Sequence, residues 1–204
     1  MLMLAWKIAP AMAMGNTVVL KPAEQTPYSA IALAVLAQEA GVPKGVFNLV
    51  TGDPEPIGIE LTTNRIVRKI TFTGSTEVGK ILMRQSSDSI KKLSFELGGN
   101  SPFIVFDDAD IKKAAKDAVS CKFRNSGQTC VCANRIYVQE SIHDQFVQHF
   151  LEAVQALKVG NGFEEGVTQG PLIDQHAIDK MEAHVKDALT HGAKLLTGGK
   201  RHAL

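Results

Sequence analysis

Residues 69–79 read Lys-Ile-Thr-Phe-Thr-Gly-Ser-Thr-Glu-Val-Gly, and they indicate the fold class of the chain. The first five are rich in β-branched and aromatic residues, which predicts a strand over 69–73, and the following Gly-Ser-Thr opens a helix to about Met83. A second strand is predicted over 92–96. A strand, a helix and a strand at this spacing form a βαβ unit, so we expect an α/β protein with a parallel sheet.

The same alternation of strands and helices extends in both directions. Further strands are predicted at residues 17–20, 46–50, 101–106 and 135–139. In the N-terminal half we expect a buried helix over Met1–Met14, and a buried strand at 17–20. Thr26 is expected to cap the next helix, with Pro27 at its first position, and Gly41 is expected to end it.

In the C-terminal half, a helix that begins near Ile111 leads to a cysteine-containing loop. Ser141 is predicted to cap a long amphipathic helix, and Asp174 is predicted to start another. We place a domain boundary near Gly98-Gly99, which gives domains 1–98 and 99–204.

Composition bears on partners and location. The formal net charge of +1 for 204 residues gives no reason to expect a nucleic-acid or membrane partner. The apolar start is not expected to be a signal peptide, because no basic residue precedes it and Lys7 and Pro10 interrupt it. Three cysteines fit a reducing compartment, the cytoplasm or the mitochondrial matrix, and no metal site is expected because the histidines and cysteines lack ligand spacing.

Two motifs carry the candidate chemistry. Cys130 lies in the small polar loop Lys122–Asn134, where a thiolate would be accessible to a substrate, and Glu96 ends a strand just before Gly98-Gly99. In this order and at this spacing, the segments Lys122–Asn134 and Phe95–Pro102 resemble the active-site signatures of the aldehyde dehydrogenase superfamily. The loop around Cys130 is most similar to that of its succinate-semialdehyde dehydrogenase branch.

The resemblance implies a Rossmann-like NAD-binding domain, here 1–98, and a catalytic domain, here 99–204. It implies that Cys130 attacks an aldehyde, that hydride passes to the nicotinamide, and that Glu96 is the base for hydrolysis of the resulting thioester. Family members are commonly dimers or tetramers, so a homo-oligomer is expected.

The resemblance also assigns cofactor residues. No Gly-x-Gly-x-x-Gly occurs; from spacing alone, Ser75 or Thr76 would be merely a helix N-cap. The family resemblance instead implies that the segment of Gly74, Ser75 and Gly79 contributes to the pyrophosphate site. Further cofactor residues implied by it are Lys21, Glu24 and Leu97. Because a carboxylate at Glu24 repels a 2′-phosphate, NAD is expected, with NADP as the alternative.

For the substrate, Arg124 matches the arginine that binds a carboxylate in the semialdehyde branch, which favours succinate semialdehyde. Trp6, however, replaces a second arginine of that branch and resembles betaine-aldehyde and broad-specificity enzymes. A third alternative is a non-catalytic protein that only binds partners. The family's Trp-Asn-Phe-Pro and Glu-x-Phe-Gly-Pro motifs do not occur, so we expect a fragment that is inactive alone.

Cys132 follows two residues after the predicted nucleophile. It is expected to be a small core residue, with a reversible disulfide to Cys130 as the alternative.

Overall fold

The computed structural model describes residues 2–203. The chain forms two compact units, Met1–Gly98 and Gly99–Leu204. Both contain helices and short parallel strands, which confirms the predicted α/β class.

The first unit holds four helices and four strands among its described residues. In chain order they are α1 (Leu2–Ala13), β1 (Val18–Leu20), α2 (Tyr28–Glu39), β2 (Phe47–Leu49), α3 (Pro54–Thr63), β3 (Lys69–Thr73), α4 (Thr76–Ser86) and β4 (Lys92–Glu96). The strands β1 and β2 pair in parallel, as do β3 and β4, whose last residues Thr73 and Glu96 lie opposite each other. The expected continuous sheet is therefore present as separate parallel pairs.

Two predictions about the helices of this unit are wrong. Thr26 does not cap α2: its amide donates to Ala23 in a preceding turn, and the Pro27 carbonyl accepts the first helical amide, from Ile31. Nor is α1 buried. Of its described side chains only Ile8 is buried, because the helix packs on β1 and leaves its other side to solvent.

Of three other features of the unit, one differs from its prediction and two agree with their sequence signals. Strand β1 was expected to be buried, but it lies at the surface with Val19 exposed. Gly41 ends α2 as predicted, with a φ of 81° and with its amide bonded to the Gln38 carbonyl at 3.0 Å. Ser75 starts α4, since its Oγ accepts a hydrogen bond from the Val78 amide at 3.2 Å.

The second unit is built around one hydrophobic cluster. Its elements are β5 (Pro102–Val105), α5 (Ile111–Phe123), β6 (Arg135–Val138), α6 (His143–Gln155) and α7 (Gln175–Thr190). β5 and β6 pair in parallel. The buried cluster consists of Val105, Ala115, Ala118, Ile142 and Phe146.

Of the two helix N-caps predicted in this unit, one is confirmed and one is wrong. Asp174 Oδ1 accepts from the Ala177 amide at 2.9 Å and begins α7 as predicted. Ser141 does not cap α6, because it lies inside a 3₁₀ turn, Glu140–Ile142, and the helix begins at His143 without a side-chain cap.

Within the described residues, no helix is long and apolar enough to cross a membrane. The same residues contain no group of three or more His, Cys, Asp or Glu side chains placed to hold a metal ion.

Candidate active site

Lys21 and Glu24 form an ion pair directly after β1. Lys21 Nζ donates to the Glu24 carboxylate and, at 2.7 Å, to the Pro22 carbonyl. The Lys21 side chain is 18% exposed and that of Glu24 42%. The hydrogen bond from Lys21 lowers the pKa of Glu24 below its usual value, so the carboxylate stays charged in mildly acidic solution.

Four predicted cofactor residues surround the start of α4. Gly74 follows β3 and donates its amide to the Glu96 carbonyl at 3.1 Å. Gly79 is buried in the helix, and a Cβ there would lie 2.8 Å from Leu97 Cδ2. The structure thus brings Gly79 and Leu97 into contact, and it places Ser75 at the helix N-cap. The first amides of a helix have no intrahelical acceptor and favour an anion.

Glu96 ends β4 and is exposed within its unit. In a strand, alternate side chains point to opposite faces, so the apolar neighbour Phe95 lies on the other face, where its ring packs edge-on against Phe72. The sequence neighbours of Glu96 therefore do not enclose its carboxylate.

Lys7 lies beside the candidate site and was not among the residues predicted for it. From α1 its Nζ donates to Thr73 Oγ1, at the strand end that lies opposite Glu96. Partial burial lowers the pKa of Lys7, and the charge of Glu96 opposes this effect. Its signal in the sequence is a single lysine inside an otherwise apolar helix.

The loop that carries Cys130 has an unusual backbone. After α5, the consecutive residues Asn125, Ser126 and Gly127 have φ values of 52°, 56° and 78°. A left-handed conformation costs about 1–2 kcal/mol for a residue other than glycine. A Cβ at Gly127 would also lie 3.2 Å from the Lys122 carbonyl. Cys130 follows this turn and is exposed.

Cys132 lies beneath the loop and is 2% exposed. Its Sγ lies 2.7 Å from Thr129 Oγ1 and 3.5 Å from the Lys122 carbonyl. This burial agrees with the expected core role. All three cysteines are free thiols, and a disulfide between Cys130 and Cys132 would require Cys132 to leave these contacts.

Arg124 lies at the end of α5, at the beginning of the same loop. With Asp117, Ser120, Cys121 and Val131 it lines a groove of about 290 Å³. Across residues 2–203, no hydrogen bond or ion pair engages the Arg124 guanidinium. Its five donors are therefore available to an anion in the groove, next to the residue that follows Cys130.

Comparison with known proteins identifies the family. The model of the aldehyde dehydrogenase family matches residues 1–204. A glutarate-semialdehyde dehydrogenase of Pseudomonas aeruginosa is 59% identical over 99% of this chain and 42% of its own length. A succinate-semialdehyde dehydrogenase [NADP(+)] of Escherichia coli is 58% identical over 98% of this chain, again 42% of its own length. The chain thus spans 42% of the length of both relatives.

Solved structures agree with the sequence comparisons. The succinate-semialdehyde dehydrogenase of Burkholderia pseudomallei has a TM-score of 0.96 at 58% identity, covering 98% of this chain and 41% of that one. A betaine aldehyde dehydrogenase of Staphylococcus aureus in complex with NAD+ has a TM-score of 0.94 at 38% identity, covering 97% and 40%. The chain therefore belongs to the aldehyde dehydrogenase family.

Proposed function

We propose that this chain carries the cofactor-binding and nucleophile-bearing parts of an NAD-dependent dehydrogenase that oxidises a semialdehyde to its dicarboxylate. The observation that carries the proposal is the exposed Cys130 on the same loop as the Arg124 guanidinium, which has no hydrogen-bond or ion-pair partner among residues 2–203. One supplies a nucleophile and the other a binding group for an anion, within one short segment.

The proposed chemistry begins at Cys130. Its thiolate adds to the aldehyde carbon to give a thiohemiacetal, loss of hydride from that carbon leaves a thioester, and water hydrolyses the thioester to the acid. Glu96 is proposed as the base that takes the proton of this water. A bound nicotinamide dinucleotide supplies the hydride acceptor.

The first unit offers polar groups that suit the ribose and the pyrophosphate of such a dinucleotide. Lys21 offers a donor and Glu24 an acceptor for the two hydroxyls of a ribose. The α4 N-terminus offers amides to a pyrophosphate, and the Ser75 hydroxyl, which accepts from Val78, keeps its own proton to donate. We therefore propose that residues 1–98 bind the cofactor and that residues 99–204 carry the nucleophile.

NAD is proposed as the preferred cofactor because Glu24 is charged and exposed where a ribose would bind. The relative from Escherichia coli is named for NADP(+), and the betaine aldehyde dehydrogenase structure holds NAD+, so both cofactors occur among similar proteins. Charge repulsion between Glu24 and a 2′-phosphate decides between them in this proposal.

The proposed substrate class is an aldehyde with a second, anionic group. Succinate and glutarate semialdehyde, after which two relatives are named, both end in a carboxylate, and a third relative, 56% identical, is named for the sulfonate 3-sulfolactaldehyde. An unpaired guanidinium suits all three anions.

The test compares four aldehydes with the protein as its gene encodes it. NADH formation is measured with succinate semialdehyde, glutarate semialdehyde, betaine aldehyde and propanal. Arg124→Gln should lower kcat/KM for the semialdehydes about 10- to 100-fold, as expected for loss of a charge-assisted hydrogen bond, and should leave propanal unchanged. Lys116→Gln, which removes one positive charge from the exposed side of α5, is the matched control. Equal losses for all four aldehydes would contradict the role of Arg124, and oxidation of none by the wild type would contradict the function.

Trp6 supports a second candidate, a betaine-type or broad-specificity aldehyde dehydrogenase. Its indole is 58% exposed, and an aromatic face attracts a quaternary ammonium group. A preference of the wild type for betaine aldehyde or propanal over both semialdehydes would favour this candidate.

A further inference from the structure

Two side chains of the Cys130 loop form hydrogen bonds to a segment that is distant in sequence. Ser126 Oγ donates to the Gly170 carbonyl at 2.9 Å, and Gln128 Oε1 accepts from the Ile173 amide at 2.9 Å. The segment Gly170–Ile173 leads directly into α7, whose N-cap is Asp174. The loop is thus joined to the start of a helix about 45 residues later in the chain.

Gln128 also forms hydrogen bonds to Asn125 inside the turn. Its Nε2 donates to the Asn125 carbonyl at 3.2 Å, its backbone amide donates to the same carbonyl at 3.1 Å, and Asn125 Nδ2 donates to the Gln128 carbonyl at 3.3 Å. One glutamine side chain therefore connects the left-handed turn to the segment Gly170–Ile173.

These bonds explain how the turn persists. Asn125 and Ser126 both occupy a conformation that is unfavourable for residues with a side chain, and such residues persist only where surrounding contacts hold them. The direction in which Cys130 leaves the turn depends on that conformation, because Cys130 is only two residues beyond Gln128.

We propose that Gln128, assisted by Ser126, is a positioning residue for Cys130. Its hydrogen bonds to Asn125 and Ile173 set the turn that presents the thiol to the substrate. The role in catalysis rests on the function proposed above, whereas the role in holding the loop rests on these contacts alone.

The first measurement follows the loop itself. Hydrogen exchange of peptides that contain residues 122–134 and 170–173 is compared between wild type and Gln128→Met in the protein as its gene encodes it. The variant keeps the length of the side chain and loses both of its hydrogen bonds, so exchange in both peptides should become faster. Gln148→Met is the matched control, since Gln148 is exposed and its side chain donates to Glu152 on the same helix. Unchanged exchange in Gln128→Met overturns the proposal.

The second measurement separates positioning from substrate selection. Gln128→Met should lower kcat/KM about tenfold or more, as expected for a misplaced reactive group, and by the same factor for succinate semialdehyde and propanal. The Kd for NADH should stay unchanged. Faster exchange with wild-type kcat/KM overturns the catalytic role.

Two further variants keep the test decisive. If Gln128→Met does not fold, Ser126→Ala removes only the bond to Gly170 and should show a smaller change of the same kind. Gln128→Glu keeps an acceptor for the Ile173 amide and should retain slower exchange at 170–173 than Gln128→Met; equal exchange in the two variants counts against the link. If the wild type oxidises no aldehyde, the proposed function fails, and the exchange rates alone decide whether Gln128 holds the loop.

Discussion

Glu24 combines a local contact with a proposed role in cofactor choice. The Lys21 ammonium both orients the carboxylate and lowers its pKa, so that the negative charge persists as the solution becomes acidic. Because the pair lies at the carboxyl end of β1, the charge stands where ligands of parallel sheets bind.

We predict that Glu24→Ser increases the ratio of kcat/KM for NADP to that for NAD at least about tenfold, because removal of one nearby charge repulsion is worth about 1.4 kcal/mol or more. In the wild type the hydrogen bond from Lys21 lowers the pKa of Glu24, so the carboxylate keeps its charge as the solution becomes mildly acidic and its repulsion is not lost through its own protonation. Steady-state rates with both cofactors provide the measurement. Glu39→Ser, an equal loss of charge at the exposed end of α2, is the control; a similar change in both variants would argue against Glu24.

At the scale of elements, the packing around a helical glycine determines what its substitution would do. In α4, Gly79 allows Leu97 to approach the helix backbone directly after β4. In α3, Gly58 also lies in a helix, but a Cβ there would lie at an ordinary 3.8 Å from Leu82 Cδ2. The two glycines have similar local conformations and different surroundings.

Alanine at these two positions should therefore have different effects on stability. Gly58→Ala should raise the free energy of unfolding by about 0.5–1 kcal/mol through helix propensity. Gly79→Ala should not, because Leu97 must move away from the new methyl group, and it should weaken NADH binding if Leu97 contacts the cofactor. Urea denaturation and NADH fluorescence titration measure the two effects. Stabilisation by Gly79→Ala with unchanged NADH affinity would refute this role.

At the scale of the whole molecule, the chain consists of two units with separate candidate roles. The proposed cofactor residues Lys21, Glu24, Gly74, Ser75, Gly79 and Leu97 all belong to the first unit. The proposed nucleophile Cys130 and the anion-binding Arg124 belong to the second. Glu96, the proposed base, lies in the first unit, two residues before its end.

Because the two proposed roles lie in different units, we predict that cofactor binding and nucleophile reactivity can be impaired independently. Lys21→Ala should raise the Kd for NADH about tenfold, the scale expected for one hydrogen bond to a charged group, and should leave alkylation of Cys130 by iodoacetamide unchanged in the absence of cofactor. Cys130→Ser should abolish aldehyde oxidation and leave the Kd for NADH unchanged. Fluorescence titration and peptide mass spectrometry provide the two readouts. A Lys21 variant that changes only alkylation would contradict the assignment of the units.

Much of this architecture is determined locally, and the sequence predicts it. Strands β3 and β4 match their predicted residues because runs of β-branched and aromatic residues, bounded by glycine or polar residues, strongly favour strand conformation. Asp174 and Gly41 act where predicted because an N-cap carboxylate and a left-handed glycine act within one turn of the chain. The predicted N-caps Thr26 and Ser141 are wrong because a residue with a hydroxyl group can equally well lie in the turn before a helix. The first residue of the helix depends on which carbonyl accepts the first helical amide.

The sequence by itself determined the α/β class, the succession of elements, the family, the loop that carries Cys130 and the strand that ends at Glu96, since these depend on residues close together in the chain. Only the tertiary structure decided that Lys7 reaches Thr73, that Leu97 packs on Gly79, that Cys132 lies buried beneath the loop and that Gln128 bonds to Ile173. Such contacts join residues far apart in sequence, and no local preference specifies them; they arise when packing of the elements brings particular side chains within hydrogen-bonding or van der Waals distance.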